Sequence, residues 1–184
     1  MTNSYLSSIL KQFEYYKSLG DKTFNQLTDE QIHWQYNNES NSITIIVKHI
    51  VGNMLSRWTN FLIEDGEKTW RKRDEEFEDT YKNKEEMLKA WEHGWDCLFN
   101  ALKPLDEVQL EQIIYIRNQG HTVTEAINRQ LAHYAYHVGQ IVFLGKMITD
   151  DHWKSLSIPK GTSKSYNQEK FAKDKARKHF TDDL

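Results

Sequence analysis

The chain has 184 residues, 28% of them charged, and a net charge of −3. That length suits one domain with a sizeable core. The acidic balance argues against general phosphate-backbone binding, so neither DNA nor RNA is expected as a partner. Two prolines and eight glycines are few breakers for so much charge, which favours helices over a turn-rich β fold. Cys97 is the single cysteine and has no internal disulfide partner, which fits a reducing cytoplasm. The polar, amphipathic start does not read as a secretory leader. No apolar run approaches the ~18 residues of a membrane span, so no membrane partner is expected.

Leu6, Ile9, Phe13, Tyr16, Phe24 and Leu27 recur at helical spacing and predict a first helix over Ser4 to Gln26, with Gly20 its weak point. Thr28 and Gln31 have the side chains of a capping box and start a short turn over Asp29 to Trp34, followed by a polar loop. Ser42 is the N-cap of a second helix running to about Glu64, whose Ile43, Val47, Ile50, Met54, Trp58 and Phe61 make one apolar stripe. Asp65-Gly66 ends it. Glu67 to Lys82 is a long, highly charged connection, a length that marks functional loops and lids, although its charges individually read as a solvated surface.

Asn83 starts a third helix, with Met87, Trp91, Trp95, Leu98 and Leu102 as its stripe and Pro104 as its stop. Asp106 to Gln112 forms another turn. Ile113 to Ile116, the turn residues Arg117 to Gly120, and then Thr122 and Val123 predict a small hairpin. Thr122 and Glu125 form a second capping box opening a fourth helix that runs to about Ile148. The expected organisation is an all-α four-helix bundle over residues 1–158 and a polar, partly ordered tail over 159–184.

His133 and His137 stand one turn apart on the fourth helix, so both imidazoles leave the same face. That spacing lets one helix offer two nitrogens to one metal ion, although two such histidines more often face solvent or fill polar gaps. The residue after His133 is Tyr134, not the glutamate a zinc peptidase uses as its base. His49 lies off the second helix's apolar stripe, on a polar seam with Asn53 and Arg57 that corresponds to the seam of Gln130, His133 and His137 on the fourth. Three neutral imidazoles with an open fourth position make a Lewis-acid site. His93 and Cys97 are also a turn apart, but nothing supplies a third ligand. Arg57 and Arg129 read either as surface ion-pair residues or as clamps for a carboxylate.

The order of these features resembles the DinB/YfiT-like superfamily of metal-dependent proteins. The resemblance rests on Val47-Lys-His49-Ile-Val-Gly-Asn53-Met-Leu-Ser-Arg57-Trp58, Asp65-Gly-Glu-Lys-Thr-Trp70, Arg129-Gln-Leu-Ala-His133-Tyr-Ala-Tyr-His137-Val-Gly-Gln140 and Ser155-Leu-Ser-Ile-Pro-Lys-Gly161, and points to a bacterial branch catalogued only as a domain of unknown function. It implies a four-helix bundle, often a homodimer, with a nickel- or zinc-type divalent ion on His49, His133 and His137. Some relatives use a low-molecular-weight thiol such as bacillithiol as cosubstrate in S-transfer. On that analogy a small-molecule substrate is expected. Arg57 and Arg129 are the candidates for holding carboxylates, Asn53 and Gln130 for bonding the reacting group, and Tyr134 or His121 for proton transfer. A metal-dependent hydrolase and a non-catalytic bundle with a structural metal or a partner-binding role are the alternatives.

Overall fold

The computed structural model describes residues 4–182, so the outermost ends of the two expected segments, 1–3 and 183–184, lie outside it. The fold is mostly helical. Its elements are α1 (Ser4–Phe24), α2 (Asp29–Ile32), α3 (Ile43–Trp58), α4 (Lys84–Leu102), α5 (Glu107–Leu110), β1 (Ile113–Ile116), β2 (Gln119–Thr122), α6 (Val123–Thr149) and α7 (Ser163–Phe171). Among the described residues no helix is long and apolar enough to cross a membrane.

The starts of the helices follow the capping chemistry of the sequence. Thr28, Asp106 and Thr122 each accept from the third backbone N–H of the helix they open, while the glutamine or glutamate at that third position reaches back to the cap. Ser42 and Asn83 cap α3 and α4 by their side chains alone.

Four long helices share one core. Tyr5 meets Asn128 and Thr23 meets Gly145, so α1 and α6 run the same way. Val51 meets Gly94 and Thr59 meets Cys97, so α3 and α4 also run together. The contacts of α3 with α6, His49 to His137 and Trp58 to Tyr134, run oppositely. Between the pairs lies an aromatic chain: Phe24 on Trp91 and Trp91 on Trp95 meet edge-to-face, and Trp95 and Phe13 close on Tyr134. Such contacts add about 0.5–1.5 kcal/mol each beyond area burial. Gly20 belongs to this packing. A Cβ there would stand 2.6 Å from the Trp91 ring, so the helix gives up about 1 kcal/mol of propensity to admit an indole.

The second helix, expected to reach Glu64, ends at Trp58. Thr59 is extended and Asn60 is left-handed (φ 49°), which turns Phe61 back into the core. The turn also delivers Asp65 and Gly66 to the hairpin. Gly66 N–H donates to Tyr115 C=O at 2.8 Å, and the Asp65 carboxylate accepts from the N–H groups of Arg117 and Asn118, both at 2.8 Å. Arg117 and Asn118 are themselves left-handed, the conformation a two-residue hairpin turn needs.

The charged connection then runs back along α3. Ser56 Oγ donates to Gly66 C=O and accepts from Lys68 N–H, Lys48 Nζ donates to the carbonyls of Glu75 and Glu78, and Thr44 Oγ1 donates to Asp79. Lys68 and Glu76 are buried, which corrects the expectation of a purely solvated surface. Beyond Thr149 the chain forms α7, which buries none of its residues, and then meets α1 through Ser8–His179 and Tyr15–Phe180 contacts. His33 Nδ1 lies 2.7 Å from the Asp79 carboxylate.

Candidate metal centre

α3 and α6 bring His49, His133 and His137 together, with one ring nitrogen of each within 4.8 Å of the others. The ring centroids stand 4.7–5.5 Å apart with planes steeply inclined, so the rings converge rather than stack. His133 and His137 share a helix face because one turn separates them. His49 meets them from the opposite helix because it lies beside, rather than on, the α3 stripe that fills the core.

Each outer ring nitrogen that is committed is committed away from the convergence point. His49 Nδ1–H donates to Glu76 Oε2 at 3.0 Å, and His137 Nδ1–H donates to Gln140 Oε1 at 2.8 Å. A neutral ring held through Nδ1–H in this way carries its lone pair on Nε2. The His137 Nε2 approaches His133 Nε2 to 3.1 Å, close to the ~3.3 Å separation of two imidazole nitrogens on one zinc-sized ion. Burial first, then the nearby His137, His49, Arg57 and Arg71, push the His133 pKa down to about 3. Burial, against the Gln140 bond and with His49, lowers that of His137 as well. Imidazoles crowded nitrogen to nitrogen, with carboxylate and amide partners holding two of the rings through Nδ1, are the donor set a divalent ion takes.

Behind His49 is a buried ion-pair network. Arg71 donates to both oxygens of Glu76, at 2.7 and 2.9 Å, and its guanidinium is almost wholly covered. Burial alone would raise the Glu76 pKa, but the bonds from His49 and Arg71 outweigh it and hold the carboxylate below its usual range. Gly52 admits this arrangement: a Cβ there would lie 2.2 Å from Glu76 Oε1. Phe77 stacks on the His49 ring at 5.3 Å and 27°.

Two of the three histidines open onto a cavity of about 230 Å3. His49 and His133 form one side, and Asn53 and Gln130 lie beside them. Arg57, Arg71, Arg73, Arg117 and Arg129 supply the rest. Glu67 Oε2 accepts from Arg57 and Arg117, both at 3.1 Å, and from Arg71 at 3.4 Å. Arg57 also donates to Gly66 C=O. It is buried, not a surface ion-pair residue, and burial lowers its pKa although Glu67 works the other way.

A family model described as a protein of unknown function, DUF1572, matches residues 1–162. The chain belongs to that family. No curated protein and no solved structure matches. The DUF1572 match spans the site residues of α3, the connection and α6, and stops before α7.

Of the residues singled out in this DUF1572 sequence, the three histidines meet, and Asn53, Arg57, Arg129 and Gln130 all line the cavity. Tyr134 and His121 do not. Tyr134 is fully buried; its hydroxyl accepts from Trp58 Nε1 at 3.1 Å and donates to Asn53 Oδ1 at 3.0 Å. Burial pushes this phenol far above its ordinary pKa. It positions Asn53. His121 sits on β2 opposite Ile114, its Nε2 buried and without a partner among the described residues. Cys97 is half-buried against Thr59 and Met54, and burial pushes its thiol pKa up. Sequence patterns do not single out Glu76, Arg71, Arg73, Arg117 or Gln140. The one sequence signal for Glu76 is Gly52, whose missing side chain marks a close approach beside His49.

Proposed function

We propose that the chain is a metal-dependent enzyme built on a DinB-like four-helix bundle, with His49, His133 and His137 holding one divalent ion of the zinc or nickel type. The observation that carries this reading is the convergence of three histidine nitrogens at the wall of a cavity lined by polar and cationic groups. Such an ion would supply Lewis-acid stabilisation of a thiolate at neutral pH. The chain's own residues would do the rest. Asn53, fixed by Tyr134, offers a hydrogen bond beside the histidines, while the guanidinium groups orient a small substrate and its thiol cosubstrate. The proposed reaction class is transfer of a low-molecular-weight thiol to an electrophile.

One observation favours thiol chemistry over hydrolysis. Among the described residues, no carboxylate lines the cavity to take a proton from water. Glu76, the nearest to the histidines, is occupied by His49 and Arg71. A homodimer belongs to the same proposal and is read by sedimentation.

The test is to express the protein without a nickel column, measure bound metal by emission spectroscopy, and assay the loaded protein with chlorodinitrobenzene across a panel of small thiols. About one ion per chain, lost in His133→Ala, is expected, together with thiol-dependent conjugation lost in the same variant. A protein that stays metal-free under zinc, nickel and manganese loading overturns the metal reading. Ester hydrolysis without thiol, abolished by His49→Ala, moves the assignment to a hydrolase. Bound metal with no turnover of either kind leaves a structural ion in a non-catalytic bundle.

A further inference from the structure

The cavity beside the histidines contains more positive charge than its partners neutralise. Five guanidinium groups line it, and the three carboxylates that approach them, Asp65, Glu67 and Glu76, lie outside the lining. Glu67 is shared by Arg57, Arg71 and Arg117, and Glu76 is taken by Arg71 and His49. Arg73 lies over the Phe77 ring at 5.4 Å, and among the described residues neither it nor Arg129 has a carboxylate partner.

Two residues of the lining also hold a buried polar atom without a partner among the described residues. Arg57, 6% exposed, keeps its Nε–H without an acceptor, and Gln130, 3% exposed, keeps its Oε1 without a donor. Buried groups of this kind are costly to leave unpaired, which makes a donor and an acceptor in one cavity a specification for what enters it. The ligand must carry negative charge for the arginines and an N–H or O–H for Gln130. At about 230 Å3 the space is below the ~300–1,000 Å3 of clefts that take drug-sized ligands, so the ligand is small or inserts one end.

We propose that this cavity is a recognition subsite for a small oxyanion, carboxylate or phosphate, that carries an adjacent hydrogen-bond donor, a substrate class that rests on the site being a metal-dependent centre. Arg73 and Arg129 take the charged head in the planar, two-pronged manner that guanidinium groups favour. Arg57 Nε–H donates to it from within. Gln130 Oε1 accepts from the donor and so selects, for example, a hydroxy acid over the plain acid of the same length.

The test uses the full chain stripped of metal on a chelating resin and dialysed into a low-salt, non-anionic buffer. Titration calorimetry is run with malate, succinate, inorganic phosphate and the neutral succinamide. Malate or phosphate is expected to bind, with succinate about fivefold weaker than malate and succinamide not at all. The tighter of malate and phosphate identifies the head group. Arg129→Gln should weaken the bound probe at least tenfold, as loss of one charge-assisted contact implies. Gln130→Leu should bring malate down to succinate. Gln130→Glu, which keeps the shape and adds a negative charge, should lose both, and thermal melting confirms that each variant folds. Equal binding of malate and succinate by the wild type, or unchanged affinity in Arg129→Gln, overturns the proposal, as does the absence of binding by every anion. His137→Ala separates this from the metal reading, because His137 holds no part of the lining. It should lose the ion and keep the oxyanion. Metal bound without oxyanion affinity sinks the subsite alone, and oxyanion affinity without metal sinks the metal centre alone.

Discussion

The connection from Glu67 to Lys82 and the tail from Pro159 to Asp182 look alike as sequences: both are polar, rich in charges of both signs and punctuated by single aromatics. In the folded chain they differ in kind. The connection lies along α3 and gives the centre Arg71 and Glu76, while α7 in the tail buries nothing and its Phe171 is 84% exposed. Composition does not separate them, but their partners do. The connection meets groups already fixed on α3, Glu76 and Glu67 by their charges on His49 and Arg57 and the backbone on Lys48 and Ser56, so ordering it costs little, and the bonds to His49 and Ser56 are sheltered from water. The exposed Lys173–Glu169 pair at the end of α7 joins two residues of the tail itself, the sort of contact worth well under 1 kcal/mol.

The sharpest break in this contrast is Glu76→Ala. It strands the guanidinium of Arg71 in a buried setting and frees the His49 ring. Removing one partner of a buried pair costs about 3–5 kcal/mol, and loss of an outer partner of a ligating histidine weakens metal binding about 10–100-fold. Urea unfolding and competitive zinc titration read the two effects separately. A loss of stability below 1 kcal/mol would show that the connection behaves like the tail.

A subtler break is Gly52→Ala, which leaves every charge in place. The new methyl group would meet the Glu76 carboxylate at 2.2 Å, so Glu76 must withdraw from His49 or α3 must shift. Overpacking of this kind costs about 1–3 kcal/mol. The expected signature is a smaller stability loss than in Glu76→Ala, with metal affinity falling at least tenfold. Unchanged affinity would mean that Glu76 does not orient the ring.

The same contrast explains what is legible in the sequence. Helix positions carry a period, so His49, Asn53 and Arg57 on one seam and Gln130, His133 and His137 on another can be matched from spacing alone, and the helix starts are legible in the caps Thr28, Asn83 and Thr122. Glu76 and Arg71 sit in irregular chain, where no period relates a residue to a helix face, and their identities as Glu and Arg are those of any solvated loop. The early end of α3 has the same cause. The apolar stripe continues through Phe61, but the chain reaches that position by a left-handed turn at Asn60 rather than by another turn of helix. Tyr134 misleads differently. Its place beside His133 suggests proton transfer, whereas the helical period that puts it next to a ligand in sequence turns it toward the core in space.

The smallest effect is expected where the tail is removed. Ending the chain after Thr162 deletes α7 and the segment that returns to α1, including the edge-to-face contact of Phe180 with Tyr15 and the Lys11–Asp182 pair. The first is worth about 0.5–1.5 kcal/mol and the second about 0–1, less where water reaches them, and Phe180 is 59% exposed. The net loss should be near 1 kcal/mol, or about 2–4 °C in melting temperature for a chain this long. Metal stoichiometry and affinity should not change, because none of the deleted residues touches α3, the connection or the histidine face of α6 among the contacts described. A truncated chain that melts as expected but binds metal differently would require the tail to act on the centre through α1, whose Phe13 packs on Tyr134, the residue that holds Asn53. Substituting Phe13 by Leu in the full chain should then reproduce the change in affinity, and its failure to do so would exclude this route from the tail to the centre.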